Sequence, residues 1–250
     1  MSLGQIIAKI KHVISGNVNL SLDDFKDEGL YLIFPDASRV ILTRNNIEKV
    51  TKKYWDNPEK IPSKVKEAVE FQRCPFCPLK EKKDFCDALR PILPFLDAID
   101  KYASFDKVTA VYRDDSKDLY YVADTTVQQA LKFISIMSLM RYCQIGRQYW
   151  KYYFGIEPLT GGQEIAKMMY LNAFFLYNGN MEVVKKAIAT FCEQTQITSS
   201  NQVKRLNLIC KHDAFINSFV NTQVATMFLS VDMENVLSKA FDEHEKKGPL

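Results

Sequence analysis

RCPFCPLKEKKDFCDALR, residues 73–90, separates two kinds of sequence. Before it, apolar residues come in short runs broken by turns. From Thr125 onward they recur at helical spacing, three and four residues apart. The same stretch holds three of the six cysteines, Cys74 and Cys77 with two residues between them and Cys86 after eight more. The pattern predicts an α+β fold, mostly α, with a small N-terminal region of hairpins and short helices followed by a C-terminal helical bundle. An N-terminal α/β region is expected over 1–72, and the cysteine segment, a hairpin and the bundle over 73–250, with one continuous domain also compatible.

Upstream, Ile6, Ile7, Ile10, Val13 and Ile14 have helical spacing, and Gly16-Asn17 ends that pattern. Two β-rich runs, 30–34 and 40–43, flank Pro35-Asp36-Ala37-Ser38 and read as a hairpin. A helix through Tyr54 is broken near Pro58 and Pro62, and Ser63 opens a charged helix that leads to Cys74. Downstream, Leu89, Ile92, Leu93, Leu96 and Ile99 share a helical face, with a kink predicted at Pro94. Runs 107–112 and 119–122 form a second hairpin around Asp114-Asp115-Ser116-Lys117. Asp124 or Thr125 is the expected cap of a helix carrying Val127, Leu131, Ile134, Met137 and Met140. That helix is apolar on most sides and is predicted to be central, continuing through Cys143. Further helices are expected over 163–177, 181–192, 201–209 and from Asp213 to about residue 245, ahead of a polar tail.

Apolar residues at 47% and charged residues at 25% are ordinary globular values. A net charge of +3, with Lys and Glu interspersed, argues against a nucleic-acid protein, which needs a basic face. Lys9 and Lys11 interrupt the N-terminus, which lacks the apolar core of a signal peptide. The uncharged runs 133–140 and 168–181 fall short of the roughly 20 residues of a transmembrane span. The expected location is cytoplasmic, where clustered cysteines bind metal or do redox chemistry more often than they form structural disulfides.

Two cysteines separated by two residues are a common half-site for zinc, since a tight turn presents both thiolates to one tetrahedral ion. Cys86 is the nearest further ligand. Cys143, at the polar end of the central helix beside Arg141 and Arg147, is the best fourth. His12, His212 and His244 lie in helical contexts that suit a ligand less well. The candidate metal ligands are therefore Cys74, Cys77, Cys86 and Cys143, a set that suits zinc and also an iron–sulfur cluster. Cys-Pro-Phe-Cys is also a glutaredoxin-like tetrapeptide, but redox folds of that kind place a strand before the first cysteine, and here a charged helix precedes it. Ordinary buried thiols are the plain alternative, and the one adopted for Cys192 and Cys210. Asp97, Asp100 and Asp106 read as a solvated edge, and Thr160-Gly161-Gly162 lacks the lysine and spacing of a phosphate loop. The aromatics from Tyr149 to Phe154 read as core or as a partner-binding patch.

Cys74, Cys77-Pro78-Leu79, Cys86, Ser104-Phe105-Asp106, Gln128-Gln129 and Cys143 together resemble a family of bacterial proteins of unknown function. In that family a CxxCPL…C motif precedes a strand pair, a "QQ" helix, a cysteine ending that helix, and a helical tail. Pro158 and Glu164 fall where its pattern places a loop and a helix start. Two positions depart from it: Asp87 stands where the family commonly has Pro, and Tyr142-Cys143-Gln144 where it has Gly-Cys-Pro. The resemblance groups the four cysteines and implies no activity. The resulting expectation is a non-enzymatic interaction or scaffold protein, stabilised by a four-cysteine zinc site and working through a protein partner or self-association. The alternative is an iron–sulfur or thiol redox protein using Cys74 and Cys77.

Overall fold

The computed structural model describes residues 22–70, 73–78, 86–156 and 159–231. The helix expected over 6–14, Pro158 and the chain beyond 231 lie outside these. The two predicted hairpins join into one antiparallel sheet, because β1 (Gly29–Ile33) pairs with both β2 (Arg39–Thr43) and β3 (Lys107–Asp114). β4 (Leu119–Thr126) completes the order β2-β1-β3-β4. All five residues of β1 are buried. Their alternation sorts them: Leu30 and Leu32 enter the main core, while Tyr31 and Ile33 pack with Phe25 and Val111 on the other face. Asp36 shapes the first turn by accepting from the Ser38 amide at 2.9 Å and the Ser38 hydroxyl at 2.6 Å.

Helices α1 (Arg44–Trp55) and α2 (Ser63–Glu70) follow the first hairpin. The face formed by Leu89, Ile92, Leu93, Leu96 and Ile99 is buried as its spacing predicts, but no continuous helix carries it. Instead the chain makes 3-10 turns at Asp87–Leu89 and Leu93–Phe95, then the single-turn α3 (Leu96–Ile99). Pro91 and Pro94 cannot donate the backbone bonds that a continuous α-helix needs there.

The central helix α4 (Val127–Met137) starts later than its expected cap. Residues 123–126 extend β4 instead, and threonine serves a strand as readily as a cap. The first helical amides are met by backbone oxygens: Val127 N–H donates to Asp106 O at 2.9 Å and Gln128 N–H to Ser104 O at 3.0 Å. The segment 104–106 and the Gln128-Gln129 step, far apart in sequence, thus form one junction. The helix also ends earlier than expected. It passes into a wider π turn, Ser138–Tyr142, and Cys143 follows in extended conformation. A 3-10 segment, Gly146–Tyr153, carries the aromatics.

The bundle is completed by α5 (Gly162–Leu176), α6 (Met181–Ile209) and α7 (Ala214–Val231). Residues 181–209, expected as two helices, are one helix of 29 residues capped by Asn180. The polar run that suggested an interruption is buried instead: Thr195, Thr198, Ser199, Asn201, Gln202 and Arg205 all face the interior. Thr198 and Ser199 satisfy their hydroxyls on the carbonyls of Gln194 and Thr195 in the same helix.

Asp213, just before α7, ties the bundle to the sheet junction. Its carboxylate accepts from the Ser104 amide at 2.8 Å and the Ser104 hydroxyl at 2.9 Å. Burial works against its ionisation, but these bonds outweigh that and hold the carboxyl below its usual range. A depressed carboxylate stabilises the fold above its unfolded pKa, and that contribution is lost as pH falls through the folded value, so the window lies below about pH 4. Asp213→Asn is expected to lower stability by about 1–3 kcal/mol at neutral pH and to flatten the acid limb of the stability curve. Urea unfolding between about pH 3 and 7 checks this; an unchanged acid limb would contradict the role given to Asp213.

Candidate metal centre

Cys74, Cys77, Cys86 and Cys143 line one small recess, together with Arg73, Asp87, Gln144, Gln202 and Arg205. Three separate pieces of chain meet there. Cys74 and Cys77 lie on a tight turn closed by Cys77 N–H to Cys74 O at 3.0 Å. Cys86 opens the 3-10 turn Asp87–Leu89. Cys143 leaves the π turn, its amide reaching back five residues to Ser138 O at 3.1 Å.

Two bonds lock the second and third pieces together. The Ser138 hydroxyl donates to the carbonyl of Ala88, and Gln144 Nε2 donates to Asp87 Oδ2 at 3.0 Å. Gly146 is needed for the approach: a Cβ there would stand 2.2 Å from the carbonyl oxygen of Leu139 and 3.5 Å from Cys143 Cβ.

Helix α6 closes the recess with the polar residues that the sequence reading missed. Asn201 Nδ2 donates to Cys74 Sγ and Gln202 Nε2 to Cys86 Sγ, each at 3.3 Å. The backbone N–H groups of Gly146 and Ile145 point at the Cys143 sulfur. Sulfur is a weak acceptor as a thiol and a better one as a thiolate, so donors aimed at three cysteines suit the ionised form. The second amide oxygen of the pair, Gln202 Oε1, is buried with no hydrogen-bond partner among the described residues.

Burial pushes the Cys143 thiol up to about 12, against the pull of its two backbone donors, and the other cysteines add to the rise. Burial also raises Cys74, opposed by the Asn201 bond and by the charge of Arg205. Arg205, only 1% exposed, is thus the cation that favours a thiolate here. Arg141, expected to stabilise Cys143, instead pairs with Glu48 at 2.5 Å. Burial thus favours the neutral thiol at Cys74 and Cys143 despite Arg205; a bound divalent cation reverses that balance. Among the described residues no three His, Cys, Asp or Glu side chains are gathered in ligating positions. The recess has room for about 20 Å³.

Other candidates resolve into structure. Asp100 accepts the backbone amides of Lys211 at 2.7 Å and His212 at 3.0 Å, and Asp106 accepts that of Ala103 at 2.8 Å. Cys192 is buried with its thiol donating to Thr226 O. No helix among the described residues is long and apolar enough to cross a membrane.

The fold is that of a mostly helical α+β protein with a small antiparallel sheet. The chain belongs to the family described as domain of unknown function DUF6901, whose model matches residues 39–244. No curated protein and no solved structure matches it.

Proposed function

We propose that the chain is a non-enzymatic interaction or scaffold protein held together by a four-cysteine metal site, with zinc as the ion. The observation carrying this reading is that four cysteines from three distant segments line one recess whose remaining wall aims N–H donors at the sulfurs. Asn201 and Gln202 would orient and tune the ligands as outer-shell partners do, and Arg205 would offset part of the negative charge of four thiolates. A cavity of about 20 Å³ suits one water-sized occupant, hence a single ion rather than an iron–sulfur cluster. The redox alternative through Cys74 and Cys77 needs a thiol made acidic, whereas burial shifts Cys74 the other way.

A protein partner or self-association is supported by exposed aromatics on the Tyr152 segment and on α5. Trp150, Phe154 and Phe175 are 53%, 71% and 72% exposed. Asn172 Nδ2 holds the carbonyls of Tyr152 and Phe154, fixing that segment to α5. Rigidly presented aromatics of this kind are what protein interfaces use.

Elemental analysis of native protein purified under reductant tests the metal reading. The expected result is a colourless protein with about one zinc per chain. A brown preparation with visible absorption assigns an iron–sulfur cluster instead. Neither element in a folded sample overturns the proposal.

A further inference from the structure

Away from the cysteines, α4 carries a lysine into the protein interior. Lys132 is 4% exposed, and its ammonium donates to the carbonyl oxygen of Thr160 at 2.5 Å. One carbonyl uses one of three donors and supplies no counter-charge. Among the described residues no carboxylate pairs with it. Glu164, on the neighbouring first turn of α5, is held by Lys167 at 3.1 Å, and Glu157 lies outside the described residues. A buried ammonium without an anion is disfavoured by several kcal/mol, and burial accordingly lowers the pKa of this lysine.

The lysine stands at the wall between two hollows. One is a cavity of about 190 Å³ whose other walls include Phe133, Ile136, Met137, Tyr153 and Ile165. The second is a more open groove of about 370 Å³ formed with the start of α5 and with Asn221 of α7. Asn221 Nδ2 is buried and has no hydrogen-bond partner among the described residues. Gly161, before α5, offers no side-chain cap to the first amides of that helix, and Gly161 and Gly162 line the same groove. Lys132 is common to both hollows, so its ammonium lies in the wall of the apolar chamber, while Asn221 and the start of α5 line the groove alone.

We propose that this chamber binds a small monocarboxylate with an apolar body, its carboxylate on Lys132 Nζ and its body among Phe133, Ile136 and Ile165. Size sets the body. A dry apolar cavity of about 150 Å³ accepts a benzene ring, so about 190 Å³ takes an aryl ring or a medium-length alkyl chain. Charge sets the head, since a single ammonium in low dielectric is matched by one negative charge. A carboxylate can accept the donors that Lys132 leaves unused beside the Thr160 carbonyl.

Isothermal titration of the full chain with sodium hexanoate and sodium benzoate at neutral pH tests this, with 1-hexanol as the uncharged probe. Saturable binding of at least one carboxylate is expected, at least about tenfold tighter than 1-hexanol. Lys132→Met, of similar volume, should weaken the carboxylate about tenfold or more and leave 1-hexanol unaffected. If Lys132→Met does not fold, Ile136→Phe takes its place: filling the chamber must weaken both probes together. No saturable binding of either carboxylate up to about 10 mM overturns the proposal. So does equal affinity for hexanoate and 1-hexanol, or a substituted chain that binds hexanoate as the parent does.

Discussion

Cys77→Ser is expected to abolish the zinc binding proposed above and to lower the melting temperature by about 8–16 °C, whereas Cys192→Ser changes it by only a few degrees. Burial alone predicts the reverse order. Cys192 is buried on the bundle's apolar side, while Cys77 is only partly buried on a loop. Serine replaces sulfur with little change of shape, so at a partly exposed loop position it should alter stability by no more than about 0.5 kcal/mol. A metal ligand follows another rule, because the free energy of binding is available to the folded chain alone. Structural zinc contributes about 10–16 kcal/mol in small peptides that have no other core. This chain has a large core of its own, so a loss of about 4 kcal/mol is the fraction expected; at about 2–4 °C per kcal/mol for a chain of this size, that gives the stated shift. Calorimetry with metal analysis on the three proteins reads both quantities. If Cys77→Ser melts within about 2 °C of the parent, the site is not a structural metal centre.

Spacing speaks for Cys74 and Cys77, since two residues between a pair has a mechanical meaning wherever the pair lies. Cys143 is singled out by its place at a helix end beside Arg141, and it lines the same recess although Arg141 pairs with Glu48. The supporting wall of the recess was not legible. Asn201, Gln202 and Arg205 lie in a polar run, TSSNQVKR, that looks like an interruption between two apolar helices. A signal was present, since Thr198, Gln202 and Arg205 recur at intervals of four and three, the period of one helix face. That face is polar and points inward, which inverts the usual reading of amphipathic sequence. The same inversion hid Lys132, the one charged side chain within a helix otherwise read as apolar on most sides. The π turn had no local signature at all. Nothing in Ser138–Tyr142 breaks a helix, and the widening follows from where Cys143 and Gly146 must lie against the preceding turn. The sheet was legible as two hairpins but not as one sheet, since the β1–β3 pairing spans residues with no local connection.

Gly146→Ala is expected to cost about 3 kcal/mol of stability and, through that, to weaken zinc binding without touching a ligand. The added Cβ would stand 2.2 Å from Leu139 O and 2.8 Å from Leu139 C, and both of these are backbone atoms. No rotamer change can relieve such a contact, so the 3-10 segment must draw away from the π turn. Cys143 lies between the two, and its sulfur faces the amides of Ile145 and Gly146. Moving that segment loosens both donors, and losing outer-shell partners of a metal ligand typically lowers affinity by about 10–100-fold. Gly161→Ala is the matched control: its φ of −65° is ordinary, and nothing lies within 4 Å of the position its Cβ would take. Because Gly161 is the N-cap of α5, where glycine is preferred to alanine, that substitution should cost up to about 1 kcal/mol, well short of the effect at Gly146. Urea unfolding and competition with a chelating dye, run on both variants, separate the outcomes. Gly146→Ala should fall behind Gly161→Ala on both measurements. If the two unfold together, the close approach of the 3-10 segment to the π turn is wrong. If stability falls while zinc affinity holds, Cys143 is not a ligand, and the centre must draw on the remaining three cysteines.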